Sequence, residues 1–124
     1  QKDTIFNLGK PAYRTNYMYM SDIHDEDEFD VMLEQMTLEP IAEKIDCPML
    51  LAMGEFDELC PLEDAEQLFD LLKCPKELWV YENETHTLGS RLPDFYLAVA
   101  DWLLDALNGK FDNDHTQKRF FNAR

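Results

Sequence analysis

Two side chains are placed where they could do chemistry together. Asp57 lies three residues past Gly54, which closes the apolar run Pro48-Met49-Leu50-Leu51-Ala52-Met53. His86 lies five residues past Tyr81, which closes Glu77-Leu78-Trp79-Val80-Tyr81. A carboxylate that accepts a hydrogen bond from an imidazole orients the ring and stabilises its protonated form. That is the acid–base pair of acyl-transfer chemistry. Each residue alone has a plainer role. Asp in a strand-to-helix loop often caps or turns the chain, and a lone histidine is usually structural. The pair, in the order Asp then His, favours catalysis.

Other reactive residues group less well. The only serines are Ser21 and Ser90, and neither sits on a strand-to-helix elbow. Cys47, Cys60 and Cys74 each precede a proline. Three cysteines without paired spacing make no disulfide framework, and they read better as small packed hydrophobes than as a metal or haem site. Asp22 to Asp30 holds six acids in nine residues but lacks the glycine that turns a calcium loop, so it reads as a helix start. Glu55 and Glu58 flank Asp57 as substitute acids, although solvated loop carboxylates are commoner. Trp79 and Trp102 fall at packing positions, and His24 and His115 have no evident partner. No metal and no cofactor is assigned.

Composition narrows the classes further. Eleven Lys+Arg against 26 Asp+Glu give a formal charge of −15, which disfavours nucleic acid and anionic membrane surfaces. An apolar fraction of 45% is that of a globular chain, and at 124 residues there is room for one domain. The four glycines are Gly9, Gly54, Gly89 and Gly109. None of them is two or four apart, which excludes a dinucleotide-binding turn, a P-loop and a Gly-x-Ser-x-Gly elbow. The first residue is Gln1 rather than Met, so the chain is expected to be cut from something longer. The unpaired cysteines suggest a reducing, cytoplasmic setting.

The elements that must position Asp57 and His86 follow from periodicity. Residues 1–21 lack a clear period and read as a connecting segment, with a contact strip at Tyr13, Tyr17, Met18, Tyr19 and Met20. Residues 22–109 read as helix, strand, helix, strand, helix. Phe29, Met32, Leu33 and Met36 form one helix face, and Pro40 opens a short turn bearing Ile41, Ala42 and Ile45. The apolar run after Pro48 is a strand covered on both faces. Pro61 starts a helix with Leu62, Ala65, Leu68, Phe69 and Leu72 inward, stopped at Cys74-Pro75. Glu77 to Tyr81 is a second strand. Pro93 leads into a helix with Phe95, Val99, Trp102, Leu103 and Ala106 inward, ended by Gly109. Residues 110–124 read as a frayed polar tail.

This is an α/β chain, one βαβ unit with flanking helices. Its two strands run parallel, so their C-terminal ends share a sheet edge, and with the strands as neighbours ~5 Å apart the side chains of the two loops can meet there. That edge is where open α/β sheets bind ligands. Two parallel strands make a poor sheet alone, so the unit is expected to be incomplete and to belong to a larger sheet.

The stretch Ile45-Asp46-Cys47-Pro48-Met49-Leu50-Leu51-Ala52-Met53-Gly54-Glu55-Phe56-Asp57-Glu58-Leu59-Cys60-Pro61 resembles the strand-and-acid-loop segment of the α/β-hydrolase superfamily. Val80-Tyr81-Glu82-Asn83-Glu84-Thr85-His86 resembles the strand-and-histidine segment that follows in the same proteins. Tyr17-Met18-Tyr19-Met20, followed by Asp25-Glu26-Asp27-Glu28-Phe29-Asp30, is similar to one subgroup. That subgroup contains fermentation–respiration switch-type esterases, 2,6-dihydropseudooxynicotine hydrolase and fungal pigment polyketide-shortening hydrolases. The resemblance covers residues 13–108 and implies the C-terminal portion of one serine α/β-hydrolase domain. Asp57 would be the triad acid and His86 the general base. The substrate would be a small-molecule ester or the carbon–carbon bond of a β-diketone or polyketide chain. The nucleophile, most of the oxyanion hole and a helical cap would come from the N-terminal part of the same fold, which makes that part the expected partner. The isolated chain would then be inactive. Cys60 lacks the elbow needed to replace the serine. A homodimer is left open. The competing reading is a fragment or degenerate module that docks another protein through its apolar helix faces and acidic surface.

Overall fold

The computed structural model describes residues 11–122. Its elements are α1 (Pro11–Ser21), α2 (Glu26–Gln35), α3 (Glu39–Ala42), β1 (Met49–Gly54), α4 (Leu62–Leu71), β2 (Lys76–Tyr81), α5 (Leu92–Leu107) and β3 (Thr116–Phe121). The acidic run serves the start of α2. Asp25 is its N-cap, accepting a 2.9 Å bond from the Glu28 N–H, and Glu26, Asp27 and Glu28 fill the first turn. Acids there suit the positive end of the helix dipole.

The strands form one parallel sheet in the order β1-β2-β3. Met49 to Gly54 align with Lys76 to Tyr81, and these with Thr116 to Phe121. Side chains alternate across a strand, and β2 uses both faces. Leu78 and Val80 pack with Ala65 and Phe69 of α4, joined by Leu51 and Met53 of β1. Trp79 and Tyr81 pack on the other face with Trp102, Phe95, Val99 and Ala106 of α5, joined by Leu50 and Ala52 of β1. An uninterrupted apolar strand is what burial on both faces requires.

Both crossovers, β1–α4–β2 and β2–α5–β3, advance across the sheet in the same direction. Their helices nevertheless cover opposite faces. The two connections therefore have opposite hands, and one is of the rare left-handed kind.

Several expectations are corrected. Residues 110–124 are not a frayed tail throughout, since 116–121 form β3 beside β2. Thr116-Gln117-Lys118-Arg119-Phe120-Phe121 shows no buried face of its own, so its strand state comes from its neighbour. Phe121 stacks on Tyr81 at 4.6 Å, and Glu77 of β2 binds both His115 at 2.8 Å and Arg119 at 3.2 Å. The segment before Asp22 includes the helix α1, whose Arg14 pairs with Glu26 and Asp30 of α2. On α5 the inward face is Phe95, Val99, Trp102 and Ala106, while Leu103 stays half exposed on its flank. Met36 lies at the C-cap of α2 and is exposed.

The two edges of the sheet differ in chemistry. The β3 edge carries Lys118 and Arg119, the kind of charge that discourages further pairing. The strand β1 reads Met-Leu-Leu-Ala-Met-Gly, with no charge at all. Beside it, α2, β1 and α4 border an open apolar groove of ≈ 810 Å³ lined by Met32, Leu33, Leu51, Met53 and Leu68. Among the described residues no helix is long and apolar enough to cross a membrane.

Candidate active site

Both loops of interest leave the same end of the sheet, and the backbone draws them together. The Glu55 N–H donates to the Tyr81 carbonyl at 3.0 Å and the Phe56 N–H to the Glu84 carbonyl at 2.9 Å. Glu55 accepts a 3.0 Å bond from the Asn83 N–H, which braces a turn where Asn83 takes φ 59°. This close approach depends on Gly54. A Cβ there would lie 2.4 Å from the Thr85 carbonyl oxygen and 2.5 Å from that of Glu84. Both obstacles are backbone, so no side-chain rotation could relieve them.

Asp57 turns inward at this junction, its side chain only 4% exposed. Oδ1 accepts bonds from the backbone N–H groups of Leu59 and Cys60, both at 2.9 Å. Oδ2 faces His86 Nδ1 at 2.9 Å, with Oδ1 at 3.2 Å from the same nitrogen. A buried carboxylate held by two amides is a fixed acceptor, so the proton on the ring belongs to Nδ1. Nε2 then carries the lone pair, and it has no hydrogen-bond partner among the described residues. The imidazole is half exposed and its outer nitrogen is free to act on an incoming group.

The structure thus brings Asp57 and His86 into bonding contact, as the sequence argument required. The remaining candidates go elsewhere. Ser21 Oγ donates to the carbonyls of Tyr17 at 2.9 Å and Met18 at 3.1 Å within α1. Ser90 Oγ donates to Glu84, a nearly buried carboxylate of the histidine loop. Neither hydroxyl bonds His86. Glu55 braces the loops instead of replacing the acid, and Glu58 is exposed. His24 lies 3.5 Å from Asp22 on the open surface. Trp79 and Trp102 are buried in the core.

Two features go beyond the sequence reading, which took Cys60 as a packed hydrophobe without a nucleophile's elbow, whereas it is exposed, and left His115 without a partner. Cys60 places its sulfur beside the pair, with the donor atoms of Asp57, Cys60 and His86 all within 4.8 Å of one another. Its thiol is pushed up from its ordinary range by desolvation first, then by the carboxylates of Asp57 and Asp64. The spacing Asp-x-x-Cys was the available signal. Secondly, His115 has a partner after all in Glu77, a carboxylate with no exposed surface that also accepts from Trp79 Nε1 at 2.7 Å. This cluster lies near the start of β2, far along the strand from Asp57 and His86. A glutamate opening an otherwise apolar strand was its only trace in the sequence.

A parallel sheet covered on both faces, with an acid loop and a histidine loop at adjacent strand ends, is the α/β-hydrolase type of architecture, and this chain is part of one. Within that class, the family model described as "Prolyl oligopeptidase family" matches residues 4–110, and the chain belongs to that family. Neither a curated protein nor a solved structure gives a match to the chain.

Proposed function

We propose that this chain supplies the acid and the histidine of a serine-hydrolase triad. The observation that carries the reading is the 2.9 Å bond between Asp57 Oδ2 and His86 Nδ1 at the carboxyl edge of a parallel sheet. In this reading Asp57 stays ionised, holds the Nδ1–H tautomer and stabilises the imidazolium that forms. Nε2 takes the proton of a serine hydroxyl as that oxygen attacks, then returns it to the leaving group. The serine belongs to the part of the fold that precedes β1. The uncharged β1 edge and the apolar groove beside it support this, because an open edge of that kind invites another strand.

The bond cleaved is that of a small-molecule ester, or the carbon–carbon bond of a β-diketone, as the resemblance in residues 17–30 implies. Family membership favours a peptide bond as the second reading. A substrate panel of aryl esters, β-diketones and prolyl peptides separates the three. In the complete protein, Asp57→Asn should lower kcat by about 10⁴-fold, the loss seen when a comparable triad loses the correct tautomer. His86→Ala should lower it at least as far. Near-normal turnover in both variants would end the triad reading and leave the chain as a docking module.

A further inference from the structure

We propose that Asp57, Cys60 and His86 form a binding site for a thiophilic divalent cation of the zinc class, and that the bound cation switches the acid–histidine pair off. The switching rests on the triad reading above, whereas the binding does not.

The donor set is the argument. An imidazole nitrogen, a thiol sulfur and a carboxylate oxygen all lie within 4.8 Å of one another. Zinc takes such ligands at about 2.0–2.3 Å in a tetrahedron, which puts neighbouring donors about 3.3–3.6 Å apart. The Nδ1–Oδ2 separation is 2.9 Å, so it need only open by a few tenths of an ångström. Asp57 Oδ1 is occupied by the Leu59 and Cys60 amides, which leaves Oδ2 as the oxygen offered. Those amides also hold the carboxylate in place without the histidine, a second layer of bonding typical of metal ligands. Cys60 and His86 are exposed, so an ion can enter from solvent. Three protein ligands leave the fourth position for water. A thiolate and a carboxylate balance the double charge, and the −15 of the whole chain draws cations to its surface.

Binding is a proton exchange without redox change. The Cys60 sulfur–hydrogen bond breaks, its proton leaves to solvent, and a sulfur–metal bond forms. His86 gives its Nδ1 proton to solvent and takes one from solvent at Nε2, a change of tautomer with no net proton gain, and the lone pair so freed on Nδ1 binds the metal. An Nε2 that already carries hydrogen cannot accept the proton of a nucleophile. The Asp57–His86 hydrogen bond is lost in the same event. Neither Cys47 nor Cys74 belongs to such a cluster among the described residues.

The test uses the complete protein with Co²⁺ as a spectroscopic probe and Zn²⁺ as competitor. One equivalent of Co²⁺ should produce a thiolate-to-cobalt charge-transfer band that Zn²⁺ abolishes. Cys60→Ser should lose the band and weaken Zn²⁺ by about tenfold or more, while Cys47→Ser retains both. In the unsubstituted chain, Zn²⁺ should slow iodoacetamide alkylation of Cys60, read by mass spectrometry, but not that of Cys47, which is also exposed. Absence of the band together with unprotected Cys60, or undiminished Zn²⁺ affinity in Cys60→Ser, overturns the site. Because no turnover is measured, these results are independent of the triad assignment. Zn²⁺ inhibition of the complete protein, relieved by Cys60→Ser, supports the switch, and full turnover with the site loaded refutes it.

Discussion

Gly54→Ala is the smallest change that should separate the two catalytic loops. The added Cβ would stand 2.4 Å from the Thr85 oxygen, 2.5 Å from the Glu84 oxygen and 2.7 Å from the Glu84 carbonyl carbon. Ordinary contact begins near 3.4 Å, so the histidine loop must retreat by about 1 Å, as overpacked backbone does. Thr85 directly precedes His86, and the retreat is transmitted to the ring. The Nδ1–Oδ2 separation of 2.9 Å would lengthen toward about 3.5–4 Å, beyond hydrogen-bond reach. A misplacement of this size costs about 10²-fold in rate, and the strain costs about 1–3 kcal/mol of stability. Two readouts are needed. One is kcat of the complete protein on its best ester. The other is the downfield Nδ1 proton resonance that marks a histidine–carboxylate bond, read on this chain. Gly89→Ala is the control, because its Cβ would meet only the Thr87 hydroxyl at an ordinary 3.6 Å. Wild-type turnover with an unchanged Nδ1 resonance in Gly54→Ala would refute the claim that this glycine sets the approach of the loops.

Other substitutions probe separate parts of the molecule. Glu77→Leu removes the carboxylate shared by Arg119, His115 and the Trp79 Nε1–H; it should cost about 1–3 kcal/mol by urea denaturation, and an unchanged midpoint would contradict a structural role for the cluster. Deleting residues 110–124 should uncover the Trp79 and Tyr81 rings that Phe121 contacts, seen as raised binding of a hydrophobic dye. Leu78→Ala empties a site with no exposed surface on the α4 face and should cost about 2–5 kcal/mol. Cys60 has its thiol pushed up by desolvation and by Asp57 and Asp64. Its thiolate therefore forms only at more alkaline pH than usual, and its alkylation at neutral pH should be slower than that of a free thiol. Asp57→Asn should speed that alkylation, and an unchanged rate would mean that the carboxylate does not act on the sulfur.

Local pattern alone determined the central βαβ unit. Uninterrupted apolar runs mark buried parallel strands, and an i, i+3, i+4, i+7 stripe marks each helix, so 49–54, 62–71, 76–81 and 92–107 were readable from short windows. Parallel strands also force both loops to one sheet edge, which is why the partnership of Asp57 with His86 could be anticipated. Tertiary structure decided what short windows do not contain. Thr116 to Phe121 has no apolar stripe and becomes a strand because β2 offers a ladder, an aromatic seat and a buried carboxylate. Glu77 looks like a surface residue in the chain, yet alternation along β2 turns it inward beneath Arg119 and His115. Cys60 joins the acid and the histidine only because the Asp57 carboxylate folds its own loop back onto itself through two amides. Hydrophobic period is a one-dimensional property. Which polar groups end up sharing a proton depends on side chains far apart in sequence meeting where water is excluded.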